Sequence, residues 1–431
     1  MNDTVYTDLA DVILENSTSF SNIYNTVINE EIEEAYILNE SPYYNTDDFQ
    51  GLLQDKPQTF TLLSLNCQSL NAKFETIKMY LDYYNNDDMK ISAICLQESW
   101  LTAESDLSLL EIHGYSLISE ARSCSAHGGV AIYLHDSFAY NRLNLNVTSD
   151  MWDGQFIEIS TENEYNENKT LVIGNIYRPP RQAVDNINTF IDDLDKICIK
   201  LKNFKHVVLA GDFNIDLLKY NENQHANNFI DTLVSNNYIP KITFPTRITH
   251  RQGTLIDNFF IKTSLDTPQT TSGILLNNIS DHLPYFTCLD YLYVKKPKTK
   301  YVKLISSCTA NIYNLKNDLN KPEIRSKLIT CVGADPNDSY RNLNNIIEPI
   351  INKHIQTRLV RYNKHKHKKS KWITQGIISS IKTRDKLYVK LKSTNPNNVN
   401  FHNVAANFKA YNRLLKQTIR IAKKNLFLQL L

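Results

Sequence analysis

Six short polar clusters stand out against the apolar runs around them. Ser64-Leu65-Asn66 closes one run with an amide, and Leu96-Gln97-Glu98 closes another with a carboxylate. Asn175-Ile176-Tyr177-Arg178-Pro179 ends on a phenol and a guanidinium. Gly211-Asp212-Phe213-Asn214 sets Asp212 and Asn214 two residues apart, so both face one way in an extended segment. Leu255-Ile256-Asp257-Asn258-Phe259-Phe260 holds an Asp in a strongly apolar stretch, where a carboxylate is costly without a partner. Ser280-Asp281-His282 supplies the natural partner, because an imidazole oriented by a carboxylate can hold or move a proton. Taken singly, each group reads as a turn former, a cap or a satisfied surface residue. Six of them at strand ends are more than core packing requires.

The elements that must position these groups follow from periodicity. Apolar, β-rich runs cover Phe60–Leu65, Ile91–Leu96, Val130–Leu134, Phe156–Ile159, Leu171–Tyr177, Val207–Ala210, Leu255–Ile261 and Leu283–Leu289. A helical stripe of Leu70, Phe74, Ile77, Leu81 and Tyr84 predicts a helix over 70–84; further helices are expected over about 183–201 and 225–235. Many strands with few interleaved helices imply an α/β domain of two packed sheets covered by helices.

The ordered set S-L-N, Q-E, N-I-Y-R-P, G-D-F-N, I-D and S-D-H resembles the endonuclease/exonuclease/phosphatase family. The likeness is closest to the endonuclease domains of non-LTR (LINE-type) retrotransposons. It is carried by Ser64–Leu70, Cys95–Thr102, Gly128–Leu134, Asn175–Pro180, Gly211–Asp216 and Thr243–Ile261, and covers about residues 60–290. The resemblance implies a DNase I-like four-layer α-β-β-α sandwich. It implies that Glu98, with Asn66 and Asp281, holds a Mg²⁺ (Mn²⁺ as a substitute) that polarises the scissile phosphate. By the same likeness Asp212 and Asn214 position or deprotonate the attacking water and bind a phosphate oxygen, with Asp212 as the expected general base. His282, oriented by Asp257, stabilises charge on the phosphoryl group, and Tyr177 donates a hydrogen bond to it. Arg178, Thr243 and Arg247 are the expected DNA contacts. Two positions depart from the pattern: Gln68 stands where many AP endonucleases carry an acid, and Asn258 where many LINE-type relatives carry His.

Charge divides the chain. There are 47 basic and 46 acidic residues among 431, a formal net charge of +1. Residues 1–55 hold 12 acidic and no basic residues, while residues 291–431 hold 29 basic and 6 acidic. Residues 1–57 therefore read as an acidic, disordered arm with one helix candidate at 25–38. Residues 58–292 read as the endonuclease-like domain, and 293–431 as a basic helical extension with helices near 340–362, 371–394 and 403–428. The run 371–388 resembles the linker before a reverse transcriptase, yet no polymerase signature follows, so DNA synthesis is not expected. The seven cysteines are scattered without a C-x-x-C pair, which excludes a zinc knuckle and suggests buried free thiols. A basic n-region and an apolar h-region are both lacking, so a nuclear or cytoplasmic rather than secreted location is expected, with no membrane contact. The sequence thus points to a Mg²⁺-dependent endonuclease that nicks one DNA strand, with DNA and, through the basic segment, element RNA as partners. The alternatives are another phosphodiesterase or phosphatase of the superfamily, or a catalytically silent nucleic-acid-binding relic.

Overall fold

The structure is a computed structural model. It describes residues 19–20, 40–56, 59–84, 91–120, 127–147, 149–162, 168–180, 184–249, 253–262, 270–293, 301–305, 309–330, 335–354, 357–361 and 372–430. The chain forms two compact units, one of residues 1–296 with 369–431, the other of residues 297–368.

The large unit is organised by two βαβ crossovers. In the first, β2 (Thr59–Asn66) leads through α2 (Leu70–Tyr84) to β3 (Ala93–Gln97), which lies parallel to it with Asn66 beside Gln97. In the second, β8 (Asn168–Tyr177) leads through α3 (Val184–Lys200) to the parallel β9 (His206–Asp212), with Tyr177 beside Asp212. Each pair seeds a sheet. The first sheet adds β5 (Val130–His135) and β4 (Tyr115–Glu120) on one side. On its other side lie β15 (Tyr285–Tyr293), β14 (Thr270–Leu275) and β1 (Tyr43–Tyr44). The second sheet adds β7 (Asp153–Glu162) and β6 (Tyr140–Arg142) on one side, and β13 (Asp257–Lys262) and β10 (Tyr238–Pro240) on the other. Among the described residues the sheets meet edge to edge at Tyr293 and Glu162, and the short strands β11 (Arg247–Ile248) and β12 (Gly253–Thr254) pair with each other.

The strands are near-continuous apolar runs because both faces are covered. Leu62, Cys95 and Ile132 on the first sheet and Ile157, Ile173 and Val208 on the second belong to one buried cluster, while Leu63, Ile94 and Tyr133 face a second cluster beneath α2. The helices α3 and α4 (Gln224–Ser235) cover the second sheet through Phe190, Leu194, Phe229 and Leu233. This is the helix–sheet–sheet–helix layering of a DNase I-like fold. Cys67, Cys95, Cys198 and Cys288 are buried free thiols, as expected; Cys124, Cys308 and Cys331 lie outside the described residues.

Two parts of the large unit differ from the sequence expectation. Residues 40–56, assigned to the acidic arm, are folded: β1 pairs in parallel with β14, and α1 (Thr46–Asp55) buries Phe49 and Leu53. Asn45 caps α1 by accepting from the amides of Asp47 and Asp48, which sit favourably in its first turn. The anchors here are a few aromatic groups, Tyr43, Tyr44 and Phe49, too sparse to register in a mostly polar window. The helix candidate at 25–38 lies outside the described residues.

The second difference lies in the basic extension. Its last two helices, α8 (Gln375–Ser393) and α9 (Phe401–Leu430), belong to the large unit. Trp372, Ile373, Ile377, Ile378, Ile381 and Leu415 join Ile77, Tyr80 and Leu81 of α2 in one core cluster. Deep in this contact, Asp385 accepts from Arg384 Nε at 3.0 Å and Nη2 at 2.6 Å and from the amide of Asn278 at 3.3 Å, and it meets the Tyr80 hydroxyl. Removing one member of a buried ion pair leaves the other charge uncompensated. Asp385→Ala is therefore expected to lower unfolding free energy by about 3–5 kcal/mol, read as a fall in urea midpoint; an unchanged midpoint would refute the burial argument.

The small unit contains the antiparallel pair β16 (Tyr301–Ile305) and β17 (Thr357–Arg361), with α5 (Thr309–Leu319), α6 (Pro322–Thr330) and α7 (Pro336–His354) between them in sequence. The helix expected over 340–362 stops at His354, and the alternating Thr357-Arg358-Leu359-Val360-Arg361 is a strand instead. Asp318 of α5 ties to α7 by accepting from Lys353 at 2.8 Å and His354 at 2.6 Å. Among the described residues no helix is long and apolar enough to cross a membrane.

Candidate active site

The two crossovers explain why the six clusters meet. The parallel strands β2, β3, β8 and β9 finish on or just before Asn66, Glu98, Tyr177 and Asp212. Their carboxyl ends bound a crevice, the usual position for a ligand in α/β sheets. The antiparallel neighbours then deliver residues from their own starts: Asp257 opens β13 directly opposite Asp212, and His282 lies three residues before β15.

Asp212 is the centre. Its side chain is 1 % exposed. Asn66 donates one Nδ2 hydrogen bond to Asp212 Oδ2 and another to Glu98 Oε1, both at 2.8 Å. The backbone amide of Asn214 donates to Asp212 Oδ1 at 3.0 Å. On the opposite side, His282 Nδ1 sits 2.9 and 3.1 Å from the two oxygens of Asp257, and its Nε2 is 4.0 Å from Asp212 Oδ2. Thr246 donates to Asp257 Oδ2 at 2.5 Å and so fixes the carboxylate that fixes the imidazole. Among the described residues, Asp212, Asp257 and His282 bring their ligand-type atoms within 4.8 Å of one another.

The electrostatics follow from that geometry. Burial, together with repulsion from Asp257, pushes the Asp212 carboxyl up to about 7, against the pull of His282 and Asn66. Burial works against a charged His282, but Asp257, Asp212 and Asp281 outweigh it and raise the imidazole to about 9. An imidazolium thus stands beside a carboxyl poised near neutrality. Tyr177 is buried, with its phenol held above its ordinary range first by desolvation and then by Glu98 and Asp212, so it stays a hydrogen-bond donor.

The remaining expected residues fall in different places. Asp281 turns to Arg247, which donates from Nε at 3.0 Å and Nη2 at 2.7 Å, while the other Asp281 oxygen is buried with no partner. Arg247 is half-exposed on the rim, and its backbone bridges to His282. Arg178 and Thr243, expected at DNA, are internal. Thr243 is buried and bonded to Ser41. Arg178 is 2 % exposed and donates to the carbonyls of Phe213 and Asn214, each at 2.7 Å. Asn214 returns a bond to the Arg178 carbonyl at 2.7 Å. Arg178 therefore shapes the loop that carries Asp212 and Asn214. Because misplacing reacting groups by about 1 Å costs about 10²-fold in rate, Arg178→Ala is expected to reduce turnover by about that factor while leaving DNA affinity unchanged. A loss of affinity with intact turnover would restore the DNA-contact reading.

Several supporting groups escaped the sequence reading. Trp100 donates from its indole to Glu98 Oε2 at 3.2 Å, so both Glu98 oxygens are held. Between the sheets, Gln97 donates to Asn175 at 2.6 Å and to Ser64 at 3.1 Å, and Ser64 donates to Tyr285, which donates to the Gly211 carbonyl at 2.9 Å. This chain of polar groups joins the Glu98 side of the crevice to the Asp212 side. Ser280 donates to the Asn66 carbonyl at 2.7 Å and binds His282 to that same edge. Asn258, the departure from the LINE pattern, holds the Thr243–Arg247 loop by accepting from the amides of Lys241 and Ile242. Such partners are visible only once the strands are in register. Backbone strain gathers here too: Gln68, Ser69, Glu98, Trp100 and Asn214 all have positive φ, between 46° and 85°. Gly211 allows the approach of β8, since a Cβ there would lie 2.1 Å from the Ile176 carbonyl oxygen.

The donor set suits a hard divalent cation. Glu98 and Asp212 place carboxylate oxygens on either side of the Asn66 amide, whose own oxygen accepts from the Gln68 amide, and the unpartnered oxygen of Asp281 lies on the neighbouring loop. Residues 171–286 match the sequence profile of the endonuclease-reverse transcriptase family. No curated protein sequence matches the chain. Among solved structures, the catalytic domain of Xenopus laevis APE2 is similar at 18% identity over 56% of this chain and 94% of that one, with a TM-score of 0.45. The endonuclease domain of TRAS1, a telomere-specific non-LTR retrotransposon, is similar at 14% identity over 54% and 98%, with a TM-score of 0.40. The AP endonuclease LMAP of Leishmania major is similar at 13% identity over 63% and 98%, with a TM-score of 0.44. The ordered motifs and the two-sheet fold that brings them together agree with the profile match over residues 171–286, which lies within the large unit.

Proposed function

We propose that this chain is a Mg²⁺-dependent endonuclease that hydrolyses one phosphodiester of duplex DNA and leaves a 3′-hydroxyl, as in target-site nicking by a retroelement. The observation that carries this reading is the setting of Asp212, a buried carboxylate with Asn66 and Glu98 on one side and the Asp257-oriented His282 on the other. Asp212, raised to about 7 and held in place by the Asn214 amide, takes a proton from the attacking water. The hydroxide attacks phosphorus, the bond to the 3′ oxygen breaks, that oxygen takes a proton from a solvent water, and Asp212 returns its own proton to solvent, so that water is consumed and a 3′-hydroxyl and a 5′-phosphate remain. The cationic His282 meets the negative charge building on the phosphoryl oxygens, and Tyr177 donates its hydroxyl to the same group. Glu98 and Asn66 would hold Mg²⁺, which when bound supplies Lewis-acid polarisation of the phosphate. Profile similarity to an endonuclease family supports a nucleic acid over a lipid or inositol phosphate. An intact set of eight site residues supports an enzyme over a silent relic.

The test is conversion of supercoiled plasmid to open circles. Wild-type protein is expected to nick with Mg²⁺ or Mn²⁺ and to stop in EDTA. Undiminished nicking in EDTA would remove the metal from the reading, and salt-sensitive DNA binding without nicking would favour the relic.

A further inference from the structure

The helix α9 carries six basic residues and no acidic one, and four of them form a stripe. Lys409, Arg413, Lys416 and Arg420 are spaced by four, three and four residues, which keeps them within an arc of about 60° on a helix. The stripe runs about 16 Å. All four side chains are exposed. Among the described residues no carboxylate pairs with any of them, although residues 56–290 carry a net −10 that could have supplied partners. Lys423, one step further on the same line, does find partners: Glu75 of α2 at 3.0 Å and the face of Trp372 at 4.8 Å. That contact shows the stripe borders α2. A solvated helix face would mix signs; this one keeps a single sign.

The stripe also leads to the crevice. Burial, and after it the nearby charge of Lys416, disfavours the charge of Lys73 on α2, the helix against which Lys423 also pairs. Lys73 in turn attracts Asp281, and α2 begins directly after the Asn66–Ser69 loop. At the end of α8, Lys392 donates to the Ile248 carbonyl at 2.6 Å, next to Arg247 on the rim. The α9 stripe thus borders α2, the helix that begins at the site, while Lys392 of α8 reaches the rim.

The geometry points to the Lys409–Arg420 stripe, continued by Lys73, as a seat for the phosphate backbone of duplex DNA flanking the nick. This deepens the endonuclease reading and rests on it for the choice of DNA. One strand presents a phosphate about every 3.4 Å along the axis, so a stripe of this length meets four phosphates. The contacts are to phosphates, so they strengthen binding without choosing sequence.

The experiment uses the full chain with Lys409, Arg413, Lys416 and Arg420 all changed to Gln, the fold being checked by thermal melting. Binding of a fluorescent duplex is measured by anisotropy from about 50 to about 200 mM salt. Each neutralised phosphate contributes about −0.9 to the slope of log K against log salt, so the variant slope is expected to be shallower by about 3 to 4. Single-turnover nicking at saturating protein is expected to be unchanged, because among the described residues none of the four side chains bonds to a residue of the site. An unchanged slope overturns the seat while leaving the endonuclease standing. A shallower slope in a wild-type background that never nicks upholds the seat and removes the endonuclease. A slope change seen only with single-stranded RNA overturns the DNA seat in favour of RNA.

Discussion

Asp212→Asn is expected to lower the nicking rate by about 10³-fold or more, with DNA affinity and fold retained. Loss of a positioned general base costs about 10²–10⁴-fold, and loss of a preorganised electrostatic contact about 10²–10³-fold. The substituted amide would keep the shape of the side chain, and the backbone N–H of Asn214 could still bond to its oxygen. It could not take a proton, and it would deprive His282 of one of its two nearest anions. His282→Ala is expected to lose a similar factor, and the double variant little more than the worse single one, because the two act as one unit. The change at Asp212 should also raise thermal stability. A carboxyl whose folded pKa lies above its unfolded value is destabilising once ionised, so at pH above about 7 the native protein carries a cost that Asn removes. Quantified plasmid nicking beside a thermal melt checks both halves. An Asp212→Asn enzyme within tenfold of wild type would sink the assignment.

Deleting residues 369–431 is expected to abolish folding of the large unit, although a family-based boundary would place the domain's end near residue 292. The deletion strips Trp372, Ile373, Ile377, Ile378, Ile381 and Leu415 from the cluster over α2. At about 1.5–3 kcal/mol for each of these six buried side chains, the loss is about 9–18 kcal/mol, comparable to the whole stability of a domain. It also removes Arg384 and Asp385, leaving the Tyr80 hydroxyl buried without them. Soluble yield and limited proteolysis of the truncated chain measure this. A soluble protein with an unchanged melting temperature would show the helices to be dispensable.

The site was legible where chemistry and burial conflict. Asp257 among Leu, Ile and Phe announced a buried carboxylate, and His282 is indeed its partner. Strand ends carrying Asn66, Glu98, Tyr177 and Asp212 were readable because apolar runs stop sharply there. Arg178 was misread because an exposed guanidinium and one bound to two carbonyls look alike in one dimension. The polar chain Gln97, Asn175, Ser64 and Tyr285 was hidden for a related reason: its members come from four strands, and only register aligns them. In the extension, the density of Lys and Arg masked the apolar stripe Ile377, Ile378 and Ile381. Net charge described the surface of α8 and α9 and said nothing of what their other face covers.

The pairing of Tyr80 with Asp385 spans 305 residues of chain. A ribosome adds about 5–20 residues per second, so α2 waits about 15–60 s for the helices that seal it. The β1–β14 pair imposes an earlier delay of the same kind, with Tyr43 waiting for Ile274. Each catalytic group is already synthesised by residue 282, yet the loop bearing His282 gains its Asn278 anchor only when Asp385 emerges. The timing of synthesis thereby makes completion of the site a late event: a nascent chain stalled before α8 would expose an unsealed α2, a surface that chaperones or proteases can recognise.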